Sequence, residues 1–467
     1  MNPRLIFTII ISKFLIILLR VFKRGGTTLP GKIASKMYPN IIRVLSADFK
    51  IIMVTGTNGK TTTTRIIGKT LDENNIIYIT NKSGANLVSG IITTFINSVD
   101  MFGKTKASVA LLEVDEAAFG IITDHIQPDI LVVTNFFRDQ LDRFGELYST
   151  LNKVMIGIKK SPKAKLILNA DDSLCVSLAH GTDRDIVYFG FSQYALNDNK
   201  TDKNPDAAFC IHCKTRYDYS YQTYGHLGAF CCPNCGYSRP DSQVTCLSVD
   251  NLNSAYSDIL VSFGDSNNDG EINPCNVRIN LPGIYNIYNA LAAAALGYML
   301  DFPVGTLTGA MSNFEHGFGR METIKTKNKT IKIILVKNPS GFNQVLTYLL
   351  TEEQKFQISF IVNDKSADGI DISWLWDVDF EKLEKIQNNI DHFYVTGARA
   401  EDVAVRLKYA GIYSDKIVIA KAYSELLNKV FNEPEKAGDL YILPTYTAML
   451  EIRALLRKKF RLKEFWK

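Results

Sequence analysis

Residues 51–71 read IIMVTGTNGKTTTTRIIGKTL. Ile51 to Thr55 is a short apolar run with a β-branched bias, Gly56 to Thr62 is a glycine-bearing loop, and Thr63 to Leu71 carries apolar residues at helical spacing. Strand, loop and helix in that order turn backbone N–H groups toward a helix N-terminus, where the dipole favours phosphate. Lys60 supplies a cation for the β- and γ-phosphates, and the Thr61 hydroxyl is a ligand for Mg²⁺. The first glycine of the longer P-loop pattern is missing, because position 54 is Val. The expectation is a nucleotide site formed by Gly56, Thr57, Asn58, Gly59, Lys60, Thr61 and Thr62; a chance glycine turn is the bland alternative.

Two further apolar runs end in polar residues. Val109–Leu112 leads into Glu113-Val114-Asp115-Glu116, and Ile130–Thr134 leads into Asn135, with Asp139 and Asp142 following. A parallel sheet that binds ligand beyond its carboxyl edge has this pattern. Glu113 is therefore expected to hold Mg²⁺, whereas helix capping explains Asp139 and Asp142 equally well. From Met321 onward, Ile331–Val336, Gln357–Val362 and His392–Thr396 alternate with helical patterns at Gly341–Leu350 and Ala400–Ala410, a second α/β unit.

Composition sets the outer bounds. The chain has 467 residues, room for about three domains. Its 53 lysines and arginines against 48 acidic residues leave +5, too diffuse a surplus to make nucleic acid the main partner. Residues 5–22, LIFTIIISKFLIILLRVF, are apolar but carry Lys13 and Arg20. A lysine mid-span is costly in a bilayer, and no cleavage site for a signal peptide follows. An interfacial helix and one packed on the protein body both fit, with a cytosolic body either way; Gly25–Gly31 then breaks the helix as a joint.

Cysteine usage is concentrated. Cys210-x-x-Cys213 and Cys232-x-x-Cys235-Gly are two knuckles separated by eighteen residues, the spacing of a four-cysteine zinc ribbon. His212 and Cys231 are competing ligands, and a redox pair or chance thiols are the rival readings. Tyr217, Tyr219, Tyr221 and Tyr224 read as strand residues between the knuckles. A closed four-thiolate site leaves no open position, so the metal is structural. Few lysines and arginines lie in 206–240, so phosphate contacts to nucleic acid would be scarce. Asp265-Ser-Asn-Asn-Asp-Gly270 begins like a calcium loop, but its twelfth position is Asn276, which leaves a hairpin turn.

Taken in order, TGTNGKTTT (55–63), TNFFRDQLDRFGE (134–146), LNADD (168–172), GIYNIYNALAAA (283–294) and GFGRME (317–322) resemble the Mur ligase family. KRGGTTLPG (23–31), the cysteine insertion and ADGIDISWLWDVDFE (367–381) are similar to its MurT-type branch, the synthetase subunits of lipid II isoglutaminyl synthases. The resemblance implies an N-terminal helix and linker (1–40), a central P-loop domain with a parallel sheet (41–318, ribbon inserted at 203–243), and a C-terminal Rossmann-like α/β domain (319–467). It further implies ATP at Gly56–Thr62, Mg²⁺ at Thr61 and Glu113, Asn289 near the nucleotide and Arg320 approaching the phosphates. Asp371 is implied to complete the catalytic triad of a GatD-type glutaminase subunit, while composition alone reads 364–379 as a solvated acidic loop.

Some family features are absent. Gln140 replaces a His at a second metal position, Val154 stands where a carbamylated lysine is usual, and ILVKNP (334–339) lacks the Asp that contacts nucleotide. The loop beginning at Gly56 leaves no room for a separate nucleotide-sugar domain, which needs about 50 residues or more. Lipid-linked substrate at the membrane surface fits that absence. The implied activity is ATP-dependent activation of the D-glutamate α-carboxylate of lipid II, with Lys60, Glu113 and Asp371 as catalytic residues. Two alternatives remain open: a Mur-type or folylpolyglutamate-type ligase without glutaminase, and a zinc-ribbon ATPase on nucleic acid. Asn81, Ser83, Asn86 and Arg138 are possible substrate contacts that loop polarity explains equally. Cys175, Cys246 and Cys275 lack a nucleophile turn.

Overall fold

The computed structural model describes residues 2–21, 26–81, 84–138, 146–196, 206–253, 255–264, 274–314, 320–326, 329–432 and 438–462, without the side chains of Arg20, Glu146, Arg320 and Met321. The expectations for Ser83, Asp139, Gln140, Asp142, the 265–270 turn and the Arg320 side chain lie outside the described residues.

The strands of the first half are β1 (Lys50–Thr55), β2 (Tyr78–Thr80), β3 (Val109–Glu113), β4 (Ile130–Val133), β5 (Lys165–Asn169), β6 (Ile186–Phe191), β7 (Asp218–Tyr224), β8 (Leu227–Cys231), β9 (Val244–Leu252), β10 (Ser257–Phe263) and β11 (Cys275–Ile279). Nine of them form one sheet, ordered β11-β10-β9-β6-β5-β4-β1-β3-β2, parallel from β2 to β9 and antiparallel across β9, β10 and β11. β7 and β8 form a separate ribbon.

Alternation along the strands explains the unbroken apolar runs. Ile52, Val54, Leu111, Val132 and Ile167 face a core shared with helices Lys60–Glu73 and Ile284–Met299. Ile51, Met53, Ala110, Leu112, Leu131 and Val133 face a second core on the opposite side, with helices Val88–Ser98 and Glu116–Ile122. A sheet covered on both faces needs apolar residues at every position.

The N-terminal helix, Pro3–Val21, packs Leu5, Ile9 and Ile16 into that second core. The joint expected through Gly31 ends sooner, because helix Leu29–Met37 already includes Pro30 and Gly31. Proline loses no helical hydrogen bond in a first turn. Gly31 lets the helix lie on its neighbour: a Cβ there would sit 1.9 Å from the Ser89 carbonyl oxygen, and the Gly31 N–H donates to Thr93 Oγ1 at 3.0 Å.

A second sheet holds β12 (Arg320–Lys325), β13 (Thr330–Ile334), β14 (Phe356–Ile361), β15 (Ile390–Thr396), β16 (Ile417–Ile419) and β17 (Asp439–Pro444), ordered β12-β13-β17-β14-β15-β16 and parallel except at β12.

A buried carboxylate ties the ribbon to the first sheet. Asp171 accepts hydrogen bonds from Arg239 Nε (2.6 Å), Tyr221 Oη (3.0 Å), Tyr288 Oη (2.6 Å) and the Phe191 N–H (2.9 Å). Its neighbour Asp172 caps helix Ser173–Ser177, accepts the Phe136 N–H at 2.7 Å and meets His226 Nε2 at 3.2 Å. Removing one partner of a buried ion pair strands the other charge. Asp171→Ala is therefore expected to lower stability by about 3–5 kcal/mol in urea unfolding followed by circular dichroism.

Candidate active site

The loop between β1 and helix Lys60–Glu73 is shaped by what its neighbours forbid. Gly56 (φ 121°) and Gly59 (φ 86°) occupy left-handed or glycine-only backbone. A Cβ on Gly56 would meet Thr134 Oγ1 at 2.4 Å, and one on Gly59 would meet Asn289 Oδ1 at 1.9 Å. The chain leaving β4 cradles the same loop. Thr57 N–H donates to the Asn135 carbonyl (2.8 Å), Asn58 N–H donates to Asn135 Oδ1 (3.0 Å), and Thr134 Oγ1 donates to the Asn58 carbonyl (2.7 Å). These bonds fix the loop before any ligand arrives.

Lys60 opens the helix and is buried. Its ammonium donates to the Gly56 and Thr57 carbonyls and to Glu116 Oε2 at 2.7 Å. Glu116 is in the first turn of helix Glu116–Ile122, whose N-cap is Asp115. Asp115 thus serves the backbone, while Glu116 faces the loop. Glu113, at the end of β3, is buried at 6 % exposure. Asn81 holds Glu113 by its backbone: Glu113 N–H donates to Asn81 Oδ1 and Asn81 Nδ2 to the Glu113 carbonyl, each at 2.8 Å. Burial lowers the Arg65 guanidinium's pKa, and the nearby Glu113 carboxylate opposes that shift.

Across the cleft stands the second sheet. Asn338 caps helix Pro339–Leu349, accepting the Gly341 N–H at 2.8 Å, and its Nδ2 donates to Asn58 Oδ1 at 3.1 Å. The cleft holds about 290 Å³ and is lined by Lys60, Arg65, Glu113, Asn289, Lys337 and Asn338 among others.

The sequence expectations divide clearly. Thr57, Asn58, Gly59, Lys60, Thr62, Glu113 and Asn289 all line this cleft, and Asn86 does too. Thr61 follows Lys60 in the helix's first turn. Asn81 is spent on backbone, and Arg138 pairs with Asp206, so neither faces the cleft as a free contact. Glu116, Asn135 and Asn338 stand in the segments quoted above without an assigned role, and Arg65 is given none either. The signal for Glu116 was present in Glu113-x-x-Glu116, where a helix starts directly off a strand's carboxyl end.

The four knuckle cysteines converge as expected. Cys210 and Cys235 sulfurs lie 3.6 Å apart, Cys213 and Cys232 sulfurs 3.3 Å, and all four fall within 4.8 Å of one another. Tetrahedral zinc at about 2.3 Å from each sulfur requires them roughly 3.8 Å apart, so the set fits. Both knuckles turn alike: Lys214 and Gly236, each with positive φ, return an N–H to the Cys210 and Cys232 carbonyls. Hydrogen bonding to Thr215 and Asn234 draws the Cys213 thiol down to about 5. His212 lies against the Tyr237 ring instead, and Cys231 is exposed on β8. Tyr219, Tyr221 and Tyr224 are on β7, with Tyr217 just before it.

Asp371 lies in the loop between β14 and the short 3-10 turn Ser373–Asp377. It accepts the Ser373 N–H at 2.7 Å, which holds its carboxyl below the usual range. Two nearby aspartates are engaged elsewhere: Asp368 accepts from Thr447, and Asp364 pairs with Arg399 at 2.8 Å. Ile370 and Trp376 are exposed beside Asp371, and Trp376 meets exposed Tyr409 edge-on. Buried Cys175 and Cys246 have thiols pushed up by desolvation, the reverse of a nucleophile.

Comparison with known proteins settles the lineage. Residues 54–228 match the Mur ligase middle domain and residues 335–449 the MurT ligase C-terminal domain. The lipid II isoglutaminyl synthase (glutamine-hydrolyzing) subunit MurT of Streptococcus pneumoniae is 36% identical over 434 residues, covering 93% of each chain. The chain belongs to the MurT family. The Staphylococcus aureus (strain COL) MurT subunit is 34% identical over 444 residues, 94% of this chain and 95% of its own. Both MurT relatives are named as subunits, which implies a second polypeptide for those proteins. A pseudomurein peptide ligase type C from Methanothermus fervidus superposes with a TM-score of 0.63 at 22% identity, over 89% of this chain and 80% of its own, and shares the fold. Like Mur ligases generally, this MurT-family chain is an ATP-dependent ligase of α/β architecture.

Cys213→Ser is expected to abolish stoichiometric zinc in the purified protein, read by atomic absorption, and to lower the melting temperature. Nucleotide affinity should stay within about twofold, because a structural site acts through folding.

Proposed function

We propose that this chain activates the D-glutamate α-carboxylate of the lipid II stem peptide, using ATP, for amidation to D-isoglutamine. The observation that carries this reading is the cleft in which Lys60, Glu113 and Asn338 meet from two sheets. A carboxylate is a poor electrophile because its charge repels nucleophiles. Its oxygen attacks the γ-phosphorus, ADP leaves, and an acyl phosphate results; ammonia then attacks the acyl carbon and phosphate leaves.

The residues divide that work. The Gly56–Thr62 loop holds the phosphate oxygens through backbone N–H groups beyond Asn58, at the helix N-terminus, since Asn135 takes those of Thr57 and Asn58. Lys60 exchanges its carbonyl partners for phosphate, with Glu116 holding the ammonium in place meanwhile. Thr61 and Glu113 would hold Mg²⁺, which supplies charge neutralisation on the phosphates. Asn289 sets the loop's height through Gly59, and Asn338 brings the second sheet to the loop. Arg320 is proposed to reach the phosphates from the seam. The cysteine cluster would hold a structural zinc.

Ammonia is mostly protonated near neutral pH and is then no nucleophile, so a GatD-type glutaminase subunit is the proposed donor. Asp371 would orient and support a histidine of that subunit, which activates a cysteine. The fixed, ionised carboxylate beside exposed Ile370 and Trp376 supports this assignment. The chain is placed on the cytoplasmic side, at the membrane face that presents lipid II. No helix among the described residues is long and apolar enough to cross a membrane.

Reconstitution with a glutaminase subunit and lipid II tests the scheme. Glutamine-dependent amide formation is expected. Asp371→Asn should lower it by about 10³–10⁴-fold while ammonium-driven amidation and ATP binding persist. Lys60→Ala should remove amidation with either nitrogen source. Amide made at the normal rate by Lys60→Ala contradicts the reading.

A further inference from the structure

Helix Pro3–Val21 leaves half of itself uncovered. Leu5, Ile9 and Ile16 face the core, but Phe7, Ile10, Phe14 (66 % exposed), Ile17 (60 %), Leu18 and Val21 (72 %) face outward. At 3.6 residues per turn those six fall within about 100° of the helix circumference. No charged residue interrupts them; Arg4 and Lys13 sit at the two borders of the stripe. Beside it, Met101 and Phe102 are exposed on the turn after helix Val88–Ser98, with Lys104 and Lys106 exposed on the same turn. Asp100, at the base of that turn, acts electrostatically on Lys13.

Charge is partitioned along the chain in the same place. Residues 1–47 contain eight of the 53 lysines and arginines and none of the 48 acidic residues; the remaining residues are net −3. Lys32, Lys36 and Arg43, on the two helices that follow, are all exposed. A patch this large and apolar, rimmed by cations, marks a docking surface. Apolar residues facing out with cations at the border, on a helix lying flat, match the water–lipid boundary of an anionic bilayer. A convex ridge also suits a deformable lipid surface better than a partner protein, which would have to offer a matching groove.

We infer that the outward face of helix Pro3–Val21, with Met101 and Phe102, docks this protein in-plane on an anionic phospholipid surface. This deepens the membrane placement offered above but rests on the helix geometry, not on the ligase reading. The helix seats its side chains among acyl chains to the depth of a headgroup, while the cations border phosphate groups.

Flotation of the purified full-length chain tests this, with vesicles of phosphatidylglycerol and phosphatidylcholine (1:1) or phosphatidylcholine alone, without ATP or lipid II. Binding to the anionic vesicles is expected, weakening as salt rises. Combined Phe14→Ser and Ile17→Ser should cut the bound fraction at least tenfold with an unchanged melting temperature, because both side chains are exposed. Lys13→Gln with Arg4→Gln should weaken anionic binding while leaving the fold intact. Equal flotation of wild type and the serine variant overturns the inference. So does a wild-type dimer that the serine variant converts to monomer without any vesicle binding, since a second copy would then own the stripe. Because no substrate is present, loss of ligase activity leaves this result standing, and failure to float leaves the ligase reading standing.

Discussion

The turn from Gly56 to Gly59 admits no side chain at either end, and the surroundings enforce that. Asn135, following β4, takes the loop's N–H groups, and Asn289, from a helix more than two hundred residues later, fills the space beside Gly59. The loop is thus built from three distant pieces of chain that fit together only when the parallel sheet is complete. A preorganised phosphate cradle needs no reorganisation when charge develops on the transferred group, which is where electrostatic catalysis gains most. Lys60 is aimed by Glu116 and two carbonyls, and Asn338 joins the second sheet to Asn58.

The same sheet is also stabilised by polar burial. Asp171 and Asp172 collect hydrogen bonds from β6, the cysteine-bearing ribbon and helix Ile284–Met299. The ribbon is therefore tied into the body: Arg239, just beyond the second knuckle, and Tyr221, on β7, both end on Asp171. Both aspartates of LNADD (168–172) hold chain segments together, and neither lines the cleft.

Much of this was legible in the sequence because the signals are local. A strand that ends in a glycine loop and a helix, and paired C-x₂-C knuckles, each state their geometry within a few residues. The apolar runs at β1, β3 and β4 announced a sheet covered on both faces, and Glu113 stood at the edge of one. Contacts across long separations were not legible. Glu116 reaches Lys60 over 56 positions and Asn338 reaches Asn58 over 280; no periodicity encodes such meetings. Asn81 and Arg138 looked like loop polarity or substrate contacts, and only packing shows them spent on Glu113 and Asp206. The Gly25–Gly31 joint was read too long because proline and glycine usually end helices, whereas Pro30 opens one and Gly31 permits a backbone-to-backbone approach.

In the proposed reaction the cradle hands a phosphoryl group to a carboxylic acid. Isotope transfer tests it most directly: the D-glutamate α-carboxylate of lipid II is labelled with oxygen-18, and the inorganic phosphate released during amidation is analysed by mass spectrometry. One labelled oxygen in the phosphate is expected for each amide formed, since the acyl–oxygen bond breaks with that oxygen on phosphorus. Amide formation accompanied by unlabelled phosphate would contradict it.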